Sequence, residues 1–163
     1  QVGDSKVLYC DNQGNIDWVI SGHDTNNIEE RSRMRSNGIK LTRMGYNVNN
    51  RSIKVSRAIG HTDIMSVPDK AKIKLNGDAY CIIATDGLWD YVNKDRITSS
   101  MKTITCPMCA ADNMLNNRER KSKMDNAAVV IVCNRTPCPR CCTIQLKQNY
   151  FPGFFRFKFA RNR

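Results

Sequence analysis

The chain has 163 residues, 40% of them apolar and 25% charged, which suits one packed domain and argues against wholesale disorder. No run approaches the roughly 18 apolar residues of a membrane span, so none is expected. The net charge of +11 divides unevenly: residues 1–133 hold 19 Lys/Arg against 15 Asp/Glu, whereas 134–163 hold seven basic residues, no acid and all five Phe. That shift predicts a domain over 1–133, followed by a basic, Cys- and Phe-rich tail over 134–163 that is irregular. The chain opens at Gln1 without a charged-then-apolar leader, and we expect it to begin within a longer protein.

In chain order, Val7–Cys10 and Ile16–Ile20 read as two strands of a hairpin around the turn Asp11–Asn15. Ser21–Asn27 reads as a loop, and Ile28–Asn37 as a short charged helix stopped by Gly38. Ile39–Arg43 and Ser52–Val55 are strand candidates, with Gly45-Tyr46-Asn47 as punctuation between them, and Lys72–Leu75 is another. The apolar run Ala79–Ala84 predicts a strand buried on both faces, ending abruptly at Thr85-Asp86-Gly87. Asn93 can cap a helix from Lys94, and a second helix is expected from about Ala110 to Lys121. Ala127–Cys133 reads as a second buried strand of the same type. No internal repeat is present, and this order predicts an α+β protein.

Two carboxylates stand out by position. Asp86 follows one buried strand and Asp125 precedes the other, so the two converge at one sheet rim if the strands are antiparallel neighbours. Carboxylates held close without a basic neighbour repel unless a cation lies between them, and oxygen ligands suit Mg²⁺ or Mn²⁺. Gly87 permits a sharp backbone turn and leaves space beside such an ion. The competing reading is that each Asp serves only its turn.

Several motifs in order resemble the metal-dependent serine/threonine protein phosphatases of type 2C. Val2-Gly3-Asp4-Ser5-Lys6 is similar to that family's G-D-S-R turn, and Glu29–Gly38 to its E-x-x-R-I-x-x-x-G-G helix. Val55-Ser56-Arg57-Ala58-Ile59-Gly60 resembles V-S-R-A-hydrophobic-G, and Ala84–Asp90 resembles A-[ST]-D-G-[LI]-W-D without a break. Asp125-Asn126 before a buried strand is similar to the terminal D-N element. The resemblance implies two stacked antiparallel β-sheets flanked by helices, incomplete at the N-terminus. It implies two Mg²⁺ or Mn²⁺ ions per complete site, with Asp86 and Asp125 as ligands and Asp4 and Asp90 serving a third, weaker ion. It also implies phosphoserine and phosphothreonine proteins as substrates, hydrolysed by a metal-bridged hydroxide attacking phosphorus in line.

The chain also departs from that pattern. The family's D-G-H-G-G element, whose Asp bridges both ions, and its phosphate-gripping Arg are not among these residues. The N-terminal half of the same domain is thus an expected partner, and these residues alone are expected to be inactive. Gly60-His61 stands where the family has G-D, with Asp63 a candidate replacement. His23 and His61 are expected in loops without catalytic roles, and Glu29, Glu30, Arg31, Arg33 and Arg35 as a solvated helix face. A different class of reading is a phosphatase-like regulatory module that hydrolyses nothing.

Cys10, Cys81 and Cys133 sit in apolar runs, where a free thiol acts as a small hydrophobe. The pairs Cys106/Cys109 and Cys138/Cys141 have zinc-knuckle spacing, but 28 residues and a buried strand separate them, so unpaired thiols are the default and structural zinc the lesser reading. This cysteine usage predicts a reducing, cytoplasmic or nuclear setting. The tail interleaves aromatics with cations, as nucleic-acid or membrane-surface binders do. Its abrupt composition favours an appended extension, and a nucleic-acid partner is not expected.

Overall fold

The computed structural model describes residues 1–103, 106–117 and 125–134, and the backbone of 154–160. In chain order the elements are β1 (Lys6–Cys10), β2 (Ile16–Ile20), α1 (Ile28–Ser36), β3 (Lys40–Thr42), β4 (Gly45–Val48), β5 (Arg51–Ile53), β6 (Tyr80–Ala84), α2 (Asp86–Trp89), α3 (Lys94–Thr103), α4 (Pro107–Asn116), β7 (Ala127–Cys133) and β8 (Phe154–Ala160). The architecture is α+β, with two antiparallel sheets and four helices among the described residues. The chain divides into two compact units, Gln1–Ser5 with Ile20–Lys72, and Lys6–Val19 with Ile73–Arg163.

The first unit contains α1 and the three-stranded sheet β3-β4-β5. Helix α1 starts at Asn27, whose side-chain oxygen accepts from the N–H groups of Glu29 and Glu30 at 3.0 and 3.3 Å. Such a cap stabilises a helix by about 1 kcal/mol. The helix ends at Asn37, followed by Gly38 at φ +75°; the Gly38 N–H reaches the Arg35 carbonyl at 2.9 Å and the Ile39 N–H the Met34 carbonyl at 2.9 Å. This paired closure needs a left-handed residue, which explains the glycine. The apolar core is small: Met34, Tyr46, Val48 and Ile64, edged by Ile39, Ile53, Val55 and Ala58. Gly45-Tyr46-Asn47, expected as punctuation, is instead the start of the central strand. Pairing with β3 and β5 on both sides overrides the turn character of the residues, and Tyr46 is fully buried.

The second unit contains the five-stranded sheet β2-β1-β6-β7-β8 and helices α2, α3 and α4. Alternate residues of its strands (Leu8 and Cys10, Tyr80, Ile82 and Ala84, Ala127, Val129, Ile131 and Cys133) share a core with Ile97, Met101, Ala110 and Met114 of the helices. Burial at roughly 25 cal/mol per Å² of apolar surface makes this cluster the unit's main stabilising term. Neither long strand is buried on both faces as expected: Ile83 is exposed, and Ala128, Val130 and Val132 are half-buried. The alternation of β7 follows from α4 packing against one side of it.

Three further expectations change. Lys72–Leu75 forms no strand; it is largely exposed, with no strand partner among the described residues. The second helix starts earlier, at Pro107, because proline at the first helical position loses no hydrogen bond there. Residues 118–124 lie outside the described residues. The tail was expected to be irregular, yet Phe154–Ala160 is a strand, paired antiparallel with the full length of β7 from Ala127↔Ala160 to Cys133↔Phe154. The free edge of β7 was the missing reason: a strand edge presents a row of unmet backbone groups that another segment can satisfy. Tail residues 135–153 and 161–163 lie outside the described residues.

Candidate active site at the rim of the five-stranded sheet

Strands β6 and β7 are antiparallel neighbours, with Ala84 opposite Val129. The ladder runs one step further: the Thr85 N–H donates to the Ala128 carbonyl at 3.2 Å, and the Ala128 N–H donates to the Thr85 hydroxyl at 3.1 Å. Helix α2 then begins at Asp86. A Cβ on Gly87 would lie 2.1 Å from the Asn126 carbonyl oxygen, so the two backbones touch and only glycine fits. Asp86 and Asp125 each immediately precede one member of this contact, and the fold thereby brings both to one rim. Gly87 sits within a helical turn rather than the sharp turn expected; its missing side chain serves the approach of Asn126.

Each carboxylate is oriented by its own backbone. Asp86 Oδ1 accepts from the Gly87 N–H at 2.8 Å, and Asp125 Oδ1 from the Asn126 N–H at 2.7 Å. These are the local bonds of the turn alternative, and they also limit where the carboxylates can point. Asp90 ends α2, its N–H bonded to the Asp86 carbonyl at 2.9 Å, so Asp86 and Asp90 stand one turn apart on the same side. Behind them the Trp89 indole N–H donates to the Ala84 carbonyl at 2.7 Å. Trp18 meets Trp89 edge-on at 5.0 Å, and the Lys94 ammonium lies 4.9 Å from the Trp18 ring centre. This bracket holds α2 against the strand that delivers Asp86.

Asp4 belongs to the first unit, half-buried beside Gly3. The Gly3 N–H donates to His23 Nδ1 at 3.2 Å and the Gly3 carbonyl accepts the His23 N–H at 2.8 Å. Because Nδ1 accepts, the ring proton sits on Nε2, which faces Asp69 at 3.0 Å. His23 is loop-borne as expected, but it is fully buried and pins the segment that carries Asp4. His61 Nδ1 accepts the Asp63 N–H at 3.3 Å, so Asp63 is tied into its own turn.

The helix face expected to be solvated is only partly so. Glu30 is 3% exposed and accepts from Arg33 at 2.7 Å, from Arg57 at 2.5 Å and from the Ser56 hydroxyl. Burial alone would push its carboxyl up; hydrogen bonds from Arg57, Arg33 and Ser56 outweigh that and hold it at about 2. Arg57 also bridges to Asp69 at 2.7 Å. The motif Val55-Ser56-Arg57-Ala58 thus closes a buried ion network. Sequence reasoning missed Glu30 because helical charge alone does not distinguish an inward from an outward position.

A family model described as protein phosphatase 2C matches residues 1–127. The chain belongs to the protein phosphatase 2C family. It is 29% identical over 138 residues to probable protein phosphatase 2C 44 of Oryza sativa subsp. japonica, covering 80% of this chain and 43% of that protein. It is 25% identical over 179 residues to probable protein phosphatase 2C 5 of Arabidopsis thaliana, covering 96% and 41%. Against the mitochondrial protein phosphatase 1K of Xenopus laevis it is 27% identical over 141 residues, covering 80% and 37%. The chain therefore spans less than half the length of these three relatives.

Within this family member, Asp86 and Asp125 are hard oxygen donors of the type Mg²⁺ and Mn²⁺ take. Among the described residues no group of three or more His, Cys, Asp or Glu is placed to hold a metal ion. The cysteines offer no alternative centre there. Cys106 precedes α4 and Cys109 lies inside it, while Cys138 and Cys141 lie outside the described residues. Burial pushes the Cys81 thiol up to about 11, which keeps it protonated and inert. No helix among the described residues is long and apolar enough to cross a membrane.

Proposed function

We propose that these residues form the C-terminal part of a metal-dependent phosphatase domain acting on phosphoserine and phosphothreonine in proteins. The contact of Gly87 with Asn126 supports this most directly, since it sets Asp86 and Asp125 side by side at one rim. These two carboxylates would hold Mg²⁺ or Mn²⁺, with Asp90 one helical turn beyond Asp86 as a further oxygen donor. Such ions supply positive charge against the transferring phosphoryl group and make water a better nucleophile at neutral pH. The chain's own residues keep the ligands in place: Gly87 admits the Asn126 backbone, and Trp89 ties α2 to Ala84. Two carboxylates are too few to hold two ions, so the remaining ligands and the phosphate-binding Arg come from the family's D-G-H-G-G half. The free thiols Cys10 and Cys81 fit an intracellular setting, cytoplasmic or nuclear.

The test is phosphopeptide hydrolysis in the presence of Mn²⁺. The 163-residue chain alone should show none above background. Joined to a family N-terminal half it should turn over, and Asp86→Ala should lower the rate by about a hundredfold or more, the scale expected when a metal ligand is lost. Activity of the chain alone would refute the missing-ligand account. A joined protein that folds yet neither binds Mn²⁺ nor hydrolyses would establish the regulatory-module reading instead.

A further inference from the structure

The outward side of α1 has no use in the rim or in the buried network. Ile28, Arg31 and Arg35 follow one another along a single helical stripe, and with Ile39, Lys40 and Leu41 they line a groove of about 750 Å³ between α1 and β3. Both elements lie in the first unit. Two aliphatic side chains are left open there, Ile28 at 78% exposure and Leu41 at 42%.

The charge of the groove is unspent. Glu30 and Asp69 are engaged by Arg33 and Arg57, and Arg31, Arg35 and Lys40 make no ion pair with any described carboxylate. Glu29, the other acid of α1, is not among the groove residues. Three uncompensated cations beside open aliphatic surface complement a ligand that carries both carboxylates and aliphatic groups. Arginine in particular pairs carboxylates through two parallel N–H bonds. Single-stranded nucleic acid would call for an aromatic stacking platform, and the groove has none. A membrane surface would call for a larger apolar face with aromatic anchors.

We propose that the α1–β3 groove docks an acidic, aliphatic-bearing peptide segment of a partner protein. Arg31, Arg35 and Lys40 pair its carboxylates, while Ile28 and Leu41 cover its apolar side chains. This holds whether or not the sheet rim is catalytic.

Fluorescence anisotropy of a short fluorescein-labelled peptide of repeating Glu-Glu-Leu units, titrated with the full chain, tests it without an activity readout. The combined substitutions Arg31→Ser, Arg35→Ser and Lys40→Ser should weaken binding roughly tenfold, on the scale of about 1.4 kcal/mol per decade. Ile28→Ser with Leu41→Ser should weaken it about threefold with an unchanged circular dichroism spectrum, because both side chains are exposed. Arg51→Ser with Lys54→Ser, exposed cations outside the groove, should leave it unchanged. A Gln-for-Glu peptide should not bind. Equal binding by the triple variant and the wild type would overturn the proposal. So would equal affinity for a Ser-for-Leu peptide, an oligothymidylate or phosphatidylserine vesicles, since each would reduce the groove to a general polyanion surface.

Discussion

Among the described residues the second unit gathers 17 buried apolar side chains into one cluster, whereas the first gathers four. The first unit compensates with chemistry: Glu30, Arg33, Ser56 and Arg57 occupy the space that aliphatic residues fill in the larger core. A small core with a fully satisfied ion network depends on every member, because removing one leaves another charged and buried. A large apolar core yields by degrees, as each methylene lost opens a little more cavity. The comparison also separates two uses of family motifs. Ala84–Asp90 serves the rim, and Val55-Ser56-Arg57-Ala58 serves the interior of the first unit.

The largest effect should come from breaking the network. Glu30→Ala is expected to destabilise the first unit by about 4 kcal/mol, the scale for removing one partner of a buried ion pair. It is read as lost amide protection at Tyr46 and Val48. The matching change in the other unit, Ile131→Ala, should cost about 3 kcal/mol. It is read by denaturant unfolding with tryptophan fluorescence, since both tryptophans, Trp18 and Trp89, lie in that unit. A cost below about 1 kcal/mol for Glu30→Ala would erase the contrast between the cores.

Gly87→Ala comes next. The added methyl collides with backbone, which cannot swing aside as a side chain can, so α2 or the start of β7 must shift. We expect a loss of about 3 kcal/mol, at the upper end for overpacking. An unchanged unfolding midpoint would mean that the approach of Asn126 is looser than described, and with it the convergence of Asp86 and Asp125.

Acid should produce the smallest effect. Glu30 titrates at about 2 rather than its ordinary 4.5, so its stabilising contribution is complete above 4.5 and is lost as pH falls through about 2. Amide protection at Tyr46 and Val48 should therefore fall between pH 4.5 and 2, and Glu30→Gln should reduce that dependence to the part carried by Asp69, whose carboxyl His23 and Arg57 also hold low. The apolar cluster of the second unit contains no carboxylate and should not follow the same curve. Unchanged protection in the first unit between pH 4.5 and 2 would place the network's Glu30 in an ordinary environment.

Much of the rim could be read in the chain. Asp86 and Asp125 flank the two most apolar runs, and antiparallel pairing of those runs is the simplest arrangement that brings their ends together. The role of Gly87 could not be read in the same way. A glycine after a strand suggests a turn, and only the position of Asn126 shows that close backbone approach is what excludes a side chain. Glu30 and His23 were equally opaque, because whether a polar residue is buried depends on partners that arrive from Ser56, Arg57, Asp69 and Gly3.

By itself the sequence determined the elements whose causes are local. The turn Asp11–Asn15 is held by the Asp11 carboxylate accepting from the Gln13 and Asn15 N–H groups, α1 is closed by Gly38, and the Asn93 side chain caps α3 through the Arg96 N–H. These signals lie within a few residues of the structure they create, so composition and spacing suffice. The tertiary structure decided what depends on a distant partner. It made Gly45–Val48 a strand and left Lys72–Leu75 without one, and it drew Phe154–Ala160 onto the edge of β7. A strand exists only when another chain segment satisfies its backbone groups, and no local propensity specifies where that partner comes from.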